Sequence, residues 1–306
     1  MGRATQTSMR VRALLVALLV HLEPDASAGA QSVGKMVLDD VTNAGRDFGA
    51  IWLAPIHGSR RDYLITGGVL VGAAALSPLD DDIDRWAVRN RDRGVLDAIK
   101  PLRRGGAFYS LNKATPYVAG LYVVGLATKS RGIRDGIFGC AAAYGANTTI
   151  RHQVIYRLIG RNRPDTLRDH PEGYVPTGAK AGDQYEFNFP SKGYGDHSFP
   201  GGHVATMATC ASFLNHRFEM GLVEPALVAL VAAMGVGRLA DQGHWMSDQV
   251  VGVVFGYAVG REVARRQKRR LEREKAAAVG IDNDGSGRPH LGADTFGVRI
   301  GWHQSF

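Results

Sequence analysis

The sequence predicts an all-α protein, a helical bundle of about six core helices with a long active-site loop. Six apolar segments carry that prediction, centred near Val69, Val123, Ala142, Ala208, Val231 and Val254. Each is long enough for a helix and lacks the strict alternation of a half-buried strand. Glycine recurs inside them, in "LITGGVLVGAAAL" and "VAGLYVVGLA", as it does where helices approach closely. Polar linkers separate the segments. With 306 residues, 45% apolar and 22% charged, the chain can bury a sizeable core, which excludes general disorder.

In chain order, residues 1–30 have the three parts of a secretory signal peptide: a basic start, the apolar core "ALLVALLV" and small residues at "ASAGA". That core is too short to span a bilayer, so cleavage is expected near Ala28 or Ala30. Residues 31–61 read as an amphipathic helix plus loop, and 62–266 as the helical-bundle domain. Residues 267–306 read as a basic helix end, a linker and an extended tail whose "TFGVRIGWHQSF" alternates as a short strand does. The linker holds "DNDGSG", which resembles the start of a calcium loop but has Ala293 at the twelfth position, so no metal is expected there.

Inside the domain, "RNRPDTLRDHPEGYVPTGAKAGDQYEFNFPSKGYGDHSF" has no helical periodicity, and loops of such length in compact domains are usually functional. Cys140 and Cys210 lie among small apolar residues, where two buried thiols are expected rather than a disulfide. The net charge of +8 is concentrated in "REVARRQKRRLEREK", a solvated helix end with no aromatic interleaving, so nucleic acid is not an expected partner.

Membrane signals conflict. Basic residues fall on one set of loops, as positive-inside charge would place them. Six crossings after a cleaved signal would put the polar motifs on the opposite side from the one that charge implies. The segments are Ala/Gly-rich and broken by Asn147 and Thr148, and the mean hydropathy is -0.12. The expectation is an exported bundle in the periplasm or cell envelope, with its site on the outer side. Peripheral and integral membrane association both stay open, as does the oligomeric state.

Three polar clusters interrupt the apolar segments, where an unpaired polar group costs on the order of 2 to 7 kcal/mol. In "YRLIGRNRPD", Arg161 and Arg163 are expected to end a helix, offering forks of donors for a phosphate or carboxylate. In "SFPGGHVATM", Gly201 and Gly202 open a helix whose free N–H groups suit an anion, with His203 at its mouth. In "GRLADQGHWMSD", Asp248 stands four residues after His244, so that on one helix face its carboxylate would reach back to the imidazole. Arg238 ends the preceding helix.

Together the clusters resemble the signature of the type 2 phosphatidic acid phosphatase family, K-x6-R-P, P-S-G-H and S-R-x5-H-x3-D. That family shares its helical core with bacterial acid phosphatases and vanadium haloperoxidases. The matching elements are Arg163-Pro164, Pro200-Gly201-Gly202-His203 and Arg238-x5-His244-x3-Asp248, and the resemblance covers roughly Arg61 to Arg266. It implies a cofactor-free, metal-independent phosphatase acting on phosphorylated small molecules or lipids. His244 would be the nucleophile, Asp248 its orienting carboxylate and His203 the general acid. Arg163, Arg238 and the amides of Gly201 and Gly202 would bind the phosphoryl oxygens. The acidic run Asp80 to Asp84 then reads as a solvated helix start.

Three positions depart from the pattern. The family lysine is Tyr156, which leaves Arg157 or Arg161 to supply the charge; the serine of P-S-G-H is Gly201; and the serine before Arg238 is Gly237. A vanadate-dependent haloperoxidase, and a non-catalytic protein that binds phosphate or a lipid headgroup, are the rival readings.

Overall fold

The computed structural model describes residues 32–100, 111–164, 183–278, 290–294 and 297–301. The expected signal peptide, residues 165–182 of the long loop and "DNDGSG" lie outside the described residues. The chain divides into two compact units, residues 1–267 and 268–306.

All six apolar segments are helical. Among the described residues, the α-helices of five residues or more are α1 (Val33–His57), α2 (Arg60–Leu76), α3 (Asp80–Asn90), α4 (Gly94–Ala98), α5 (Leu111–Ala127), α6 (Arg131–Ile150), α7 (Gly202–Phe218), α8 (Glu224–Ala240) and α9 (Met246–Ala278). The N-termini of α1, α2 and α6 are capped by the hydroxyls of Ser32, Ser59 and Ser130, with Asp62 completing a capping box on α2. Helix α7 opens on Gly202 with no side-chain cap, and its first intrahelical bond is Ala205 N–H to the Gly201 carbonyl (3.0 Å). Its leading amides therefore receive no side-chain cap from Gly201.

The core is where α1, α6, α7 and α9 meet, around Ile51, Ala143, Ala146, Phe213, Val259, Val263 and Ala264. Buried ion pairs tie α1 to it: Asp40 accepts both bonds of Arg134 at 3.0 Å, and Asp47 accepts from Arg266 at 3.0 Å. The spacing of the glycines on α9 decides how closely it approaches α7. A Cβ on Gly252, Gly256 or Gly260 would run into the backbone carbonyls of Gly201, Ala205 and Thr209 respectively. Residues four apart on one helix thus lie along residues four apart on the other, and only glycine fits the seam.

Several expectations are corrected. Cys140 on α6 and Cys210 on α7 form a disulfide across the facing helices, with Cα atoms 5.2 Å apart, rather than two thiols. Arg161 does not end a helix: the last helical turn stops at Leu158, and Gly160–Arg161 forms a short strand, β1, antiparallel to Phe187–Asn188, β2. Asp80 and Asp84 at the start of α3 are buried, at 1% and 3% exposure, instead of solvated. The tail strand is present, as β4 (Gly297–Gly301), and it pairs antiparallel with β3 (His290–Asp294).

Two stretches, Arg60–Asn90 and Gly221–Ala240, are long and apolar enough to cross a membrane by length and composition. Only 6% of the first one's apolar window is buried, so its side chains pack little against the bundle. This is a weak sign of membrane association.

The seam gives a paired expectation. Gly256→Ala, whose methyl meets the Ala205 carbonyl, should lose about 1–3 kcal/mol of stability through overpacking. Gly72→Ala, where a Cβ meets nothing within 4 Å, should be neutral or gain up to about 1 kcal/mol. Urea unfolding of the two variants measures the difference, and equal effects would contradict the seam.

Candidate active site

The three clusters converge. Between α8 and α9 the chain turns through Asp241–Trp245, which leaves His244 just outside α9 and buried at 1% exposure. Its ring centroid lies 6.0 Å from that of His203, at 63°. Asp248 does not touch the imidazole. Because α9 starts at Met246, the carboxylate sits in the first turn and folds back onto the Trp245 N–H (3.2 Å). The Ser198 hydroxyl donates to it at 2.6 Å, as does Arg161 Nη1 at 2.6 Å.

His244 is held instead by the Ser198 carbonyl, 2.6 Å from Nδ1. A carbonyl only accepts, so Nδ1 carries the proton and Nε2 presents its lone pair. Nε2 is buried and has no hydrogen-bond partner among the described residues. Ser198 joins the pair, its carbonyl on the histidine and its hydroxyl on Asp248. Asp248 is thus linked to the imidazole only through Ser198.

Burial pushes the His244 imidazole well below its ordinary value, and the charges of Arg163, Arg238 and His203 push it the same way. Burial pushes the Asp248 carboxyl up, while Arg161 and the Ser198 hydroxyl pull it back down. All its described partners are donors, the setting of a carboxylate.

Arg163 is 3% exposed and donates to the Gly243 carbonyl at 2.8 Å, fixing the turn that carries His244. Arg238 is 8% exposed and has Asp241 at 3.6 Å. Arg161, a candidate phosphate ligand, is committed elsewhere. It pairs with Asp80 at 2.8 Å and Asp248 at 2.6 Å and donates to the Ser247 hydroxyl at 2.7 Å. Arg157 is exposed.

Tyr156 is buried, its hydroxyl donating to the Pro200 carbonyl at 3.0 Å and its ring stacked on His197 at 4.7 Å. The Gly201 N–H, an expected phosphate ligand, is bound to the Asp248 carbonyl (2.8 Å). A Cβ there would displace the end of the Gln249 side chain, 2.7 Å away, and press on the Asp248 carbonyl at 3.1 Å. Gly202 keeps its place at the helix mouth. Sequence reasoning missed Ser198 and Asp80. Ser198 is adjacent to a recognised motif, whereas nothing in "DDDID" distinguishes its buried from its exposed members.

Residues 137–272 match the family model of the PAP2 superfamily. This stretch is a PAP2-superfamily domain. PAP2 domains are in general phosphatases that act on phosphorylated substrates. The match begins inside α6, so α1 to α5 lie before it. Comparison with curated proteins and with solved structures gives no match.

The shift on His244 has a sign. A lowered value keeps the ring neutral in the range where a free histidine, with a pKa near 6.5, begins to protonate. Ring NMR should find His244 neutral at about pH 6, with Nδ1 protonated. An imidazolium at that pH would contradict the site as drawn.

Proposed function

We propose that the chain is a phosphatase that hydrolyses phosphate monoesters, lipid phosphates or prenyl pyrophosphates among them, through a phosphohistidine on His244 and without a metal. One observation carries the reading: a buried histidine whose Nδ1 is bound to a carbonyl and whose Nε2 has no hydrogen-bond partner among the described residues, its ring 6.0 Å from that of His203 at an uncapped helix mouth.

His244 Nε2 bonds to phosphorus as the bond to the leaving oxygen breaks, and His203 gives that oxygen its proton. Because Nδ1 keeps its proton toward a carbonyl, the phosphorylated ring stays cationic and is a good leaving group. His203 then takes a proton from water, the hydroxide attacks phosphorus, and inorganic phosphate departs to restore His244. Arg163, Arg238 and the leading amides of α7 neutralise the equatorial oxygens, the work a metal does in other phosphoryl transfers.

The Cys140–Cys210 disulfide suits an oxidising compartment and supports export to the periplasm or cell envelope. The bare apolar face of α2, with exposed Leu64, Ile65 and Val71, supports membrane association and a lipid substrate.

Turnover of p-nitrophenyl phosphate should survive EDTA and yield an acid-labile phosphoenzyme. His244→Ala should abolish both. His203→Ala should cripple alkyl phosphate hydrolysis by about 10²- to 10⁴-fold yet spare phosphoenzyme formation from p-nitrophenyl phosphate, whose phenolate leaves without a proton. Label trapped on His203, or activity that requires added Mg²⁺, would contradict the proposal.

A further inference from the structure

Arg151 is a buried cation that the site as read so far does not use. It follows α6 directly and begins a π-helical turn, Arg151–Ile155, which leads to Tyr156. Its residue is 4% exposed. The guanidinium lies over the Tyr156 ring, with Cζ 5.6 Å from the centroid.

It is aimed at the mouth of α7. A Cβ placed on Gly202 would collide with Arg151 Nη1, and would stand 3.1 Å from its Cζ and 2.7 Å from the Tyr156 hydroxyl. The contact to Thr206 Oγ1, at 3.5 Å, is the longest a hydrogen bond allows, and Nε has no partner. Among the described residues Arg151 pairs with no carboxylate, whereas Arg161 has two and Arg134 one. A buried guanidinium in that condition costs several kcal/mol unless an anion joins it.

We propose that Arg151 binds the phosphoryl group as a third cation of the cradle, taking the part of the lysine that the family pattern would put at position 156. Tyr156 is then its platform: the ring supports the guanidinium and the hydroxyl fixes Pro200 ahead of the helix mouth. Gly202 is required because the guanidinium occupies the space of its side chain. The anion it recognises is a phosphate monoester dianion, with inorganic phosphate as the simplest probe.

This rests on the phosphatase reading for its consequence in turnover, but not for its consequence in binding. The test therefore has two readouts on the full chain: thermal protection by inorganic phosphate, and kcat/KM for p-nitrophenyl phosphate. Arg151→Gln should lose phosphate protection and raise KM, with kcat/KM falling about 10- to 100-fold, the worth of one charge-assisted hydrogen bond. Arg151→Lys should keep more of both. The double variant Arg151→Gln/Tyr156→Lys, which restores a cation from the family's own position, should recover part of the loss.

Should glutamine unfold the chain, Arg151→Met, which keeps the buried bulk, is read in the same way. A wild type that binds phosphate without turning over any ester would sink the phosphatase reading alone. A folded Arg151→Gln protected by phosphate as the wild type is, or equal loss in the glutamine, lysine and double variants, would make Arg151 merely structural and overturn the proposal.

Discussion

The site depends on how closely α9 lies against α7. Three glycines on α9 let its backbone reach the carbonyls of α7, and that contact brings the first turn of α9 up to the mouth of α7. There the Asp248 carbonyl takes the Gly201 N–H. The same approach gives Ser198 its two partners, His244 through the carbonyl and Asp248 through the hydroxyl. A methyl group in the seam would therefore shift the His244 turn relative to the start of α7. Catalytic geometry and core packing are one constraint here, since side chains a fraction of an ångström out of place lose rate steeply.

The buried arginines divide into two kinds. Arg134 and Arg161 are compensated by carboxylates, and Arg161 in particular bolts α3 to α9 through Asp80 and Asp248. Removing either acid would leave a buried charge short of a partner, which is far more costly than the pair itself is stabilising. Arg151 has no such partner among the described residues. Burial lowers the His244 pKa first, and the charges of Arg163 and Arg238 push it the same way, although Arg238 also has Asp241 at 3.6 Å. The first kind holds helices together, and in the proposed reaction the second faces the phosphoryl group. The electrostatics that would attract a phosphate dianion are the same that keep the nucleophile unprotonated.

Much of this was legible in the sequence, and the misses have identifiable causes. Helix positions followed from apolar periodicity, and the His203, His244 and Arg163 cluster from motif spacing. The spacing of His244 and Asp248 suggested a direct contact because it assumed a helix running through both, whereas the turn ends at Trp245 and turns the carboxylate inward. Arg161 and Arg163 look alike in "GRNRPD", but β1 sends one into an ion pair and leaves the other at the His244 turn. Asp80 could not be told from Asp81 without knowing which face of α3 meets α9. Nor could Arg151 be found by motif, because its reach to Gly202 depends on the π-helical turn that follows α6.

The account stands on one bond, that between phosphorus and Nε2 of His244. A crystal structure of the protein soaked with orthovanadate, which takes the trigonal bipyramidal form of the transition state, tests it directly. The account predicts vanadium bonded to His244 Nε2, its equatorial oxygens facing the amides at the start of α7 and the Arg163 and Arg238 guanidiniums, with His203 beside the apical oxygen. Vanadium bonded to His203, or bound away from both histidines, would contradict it.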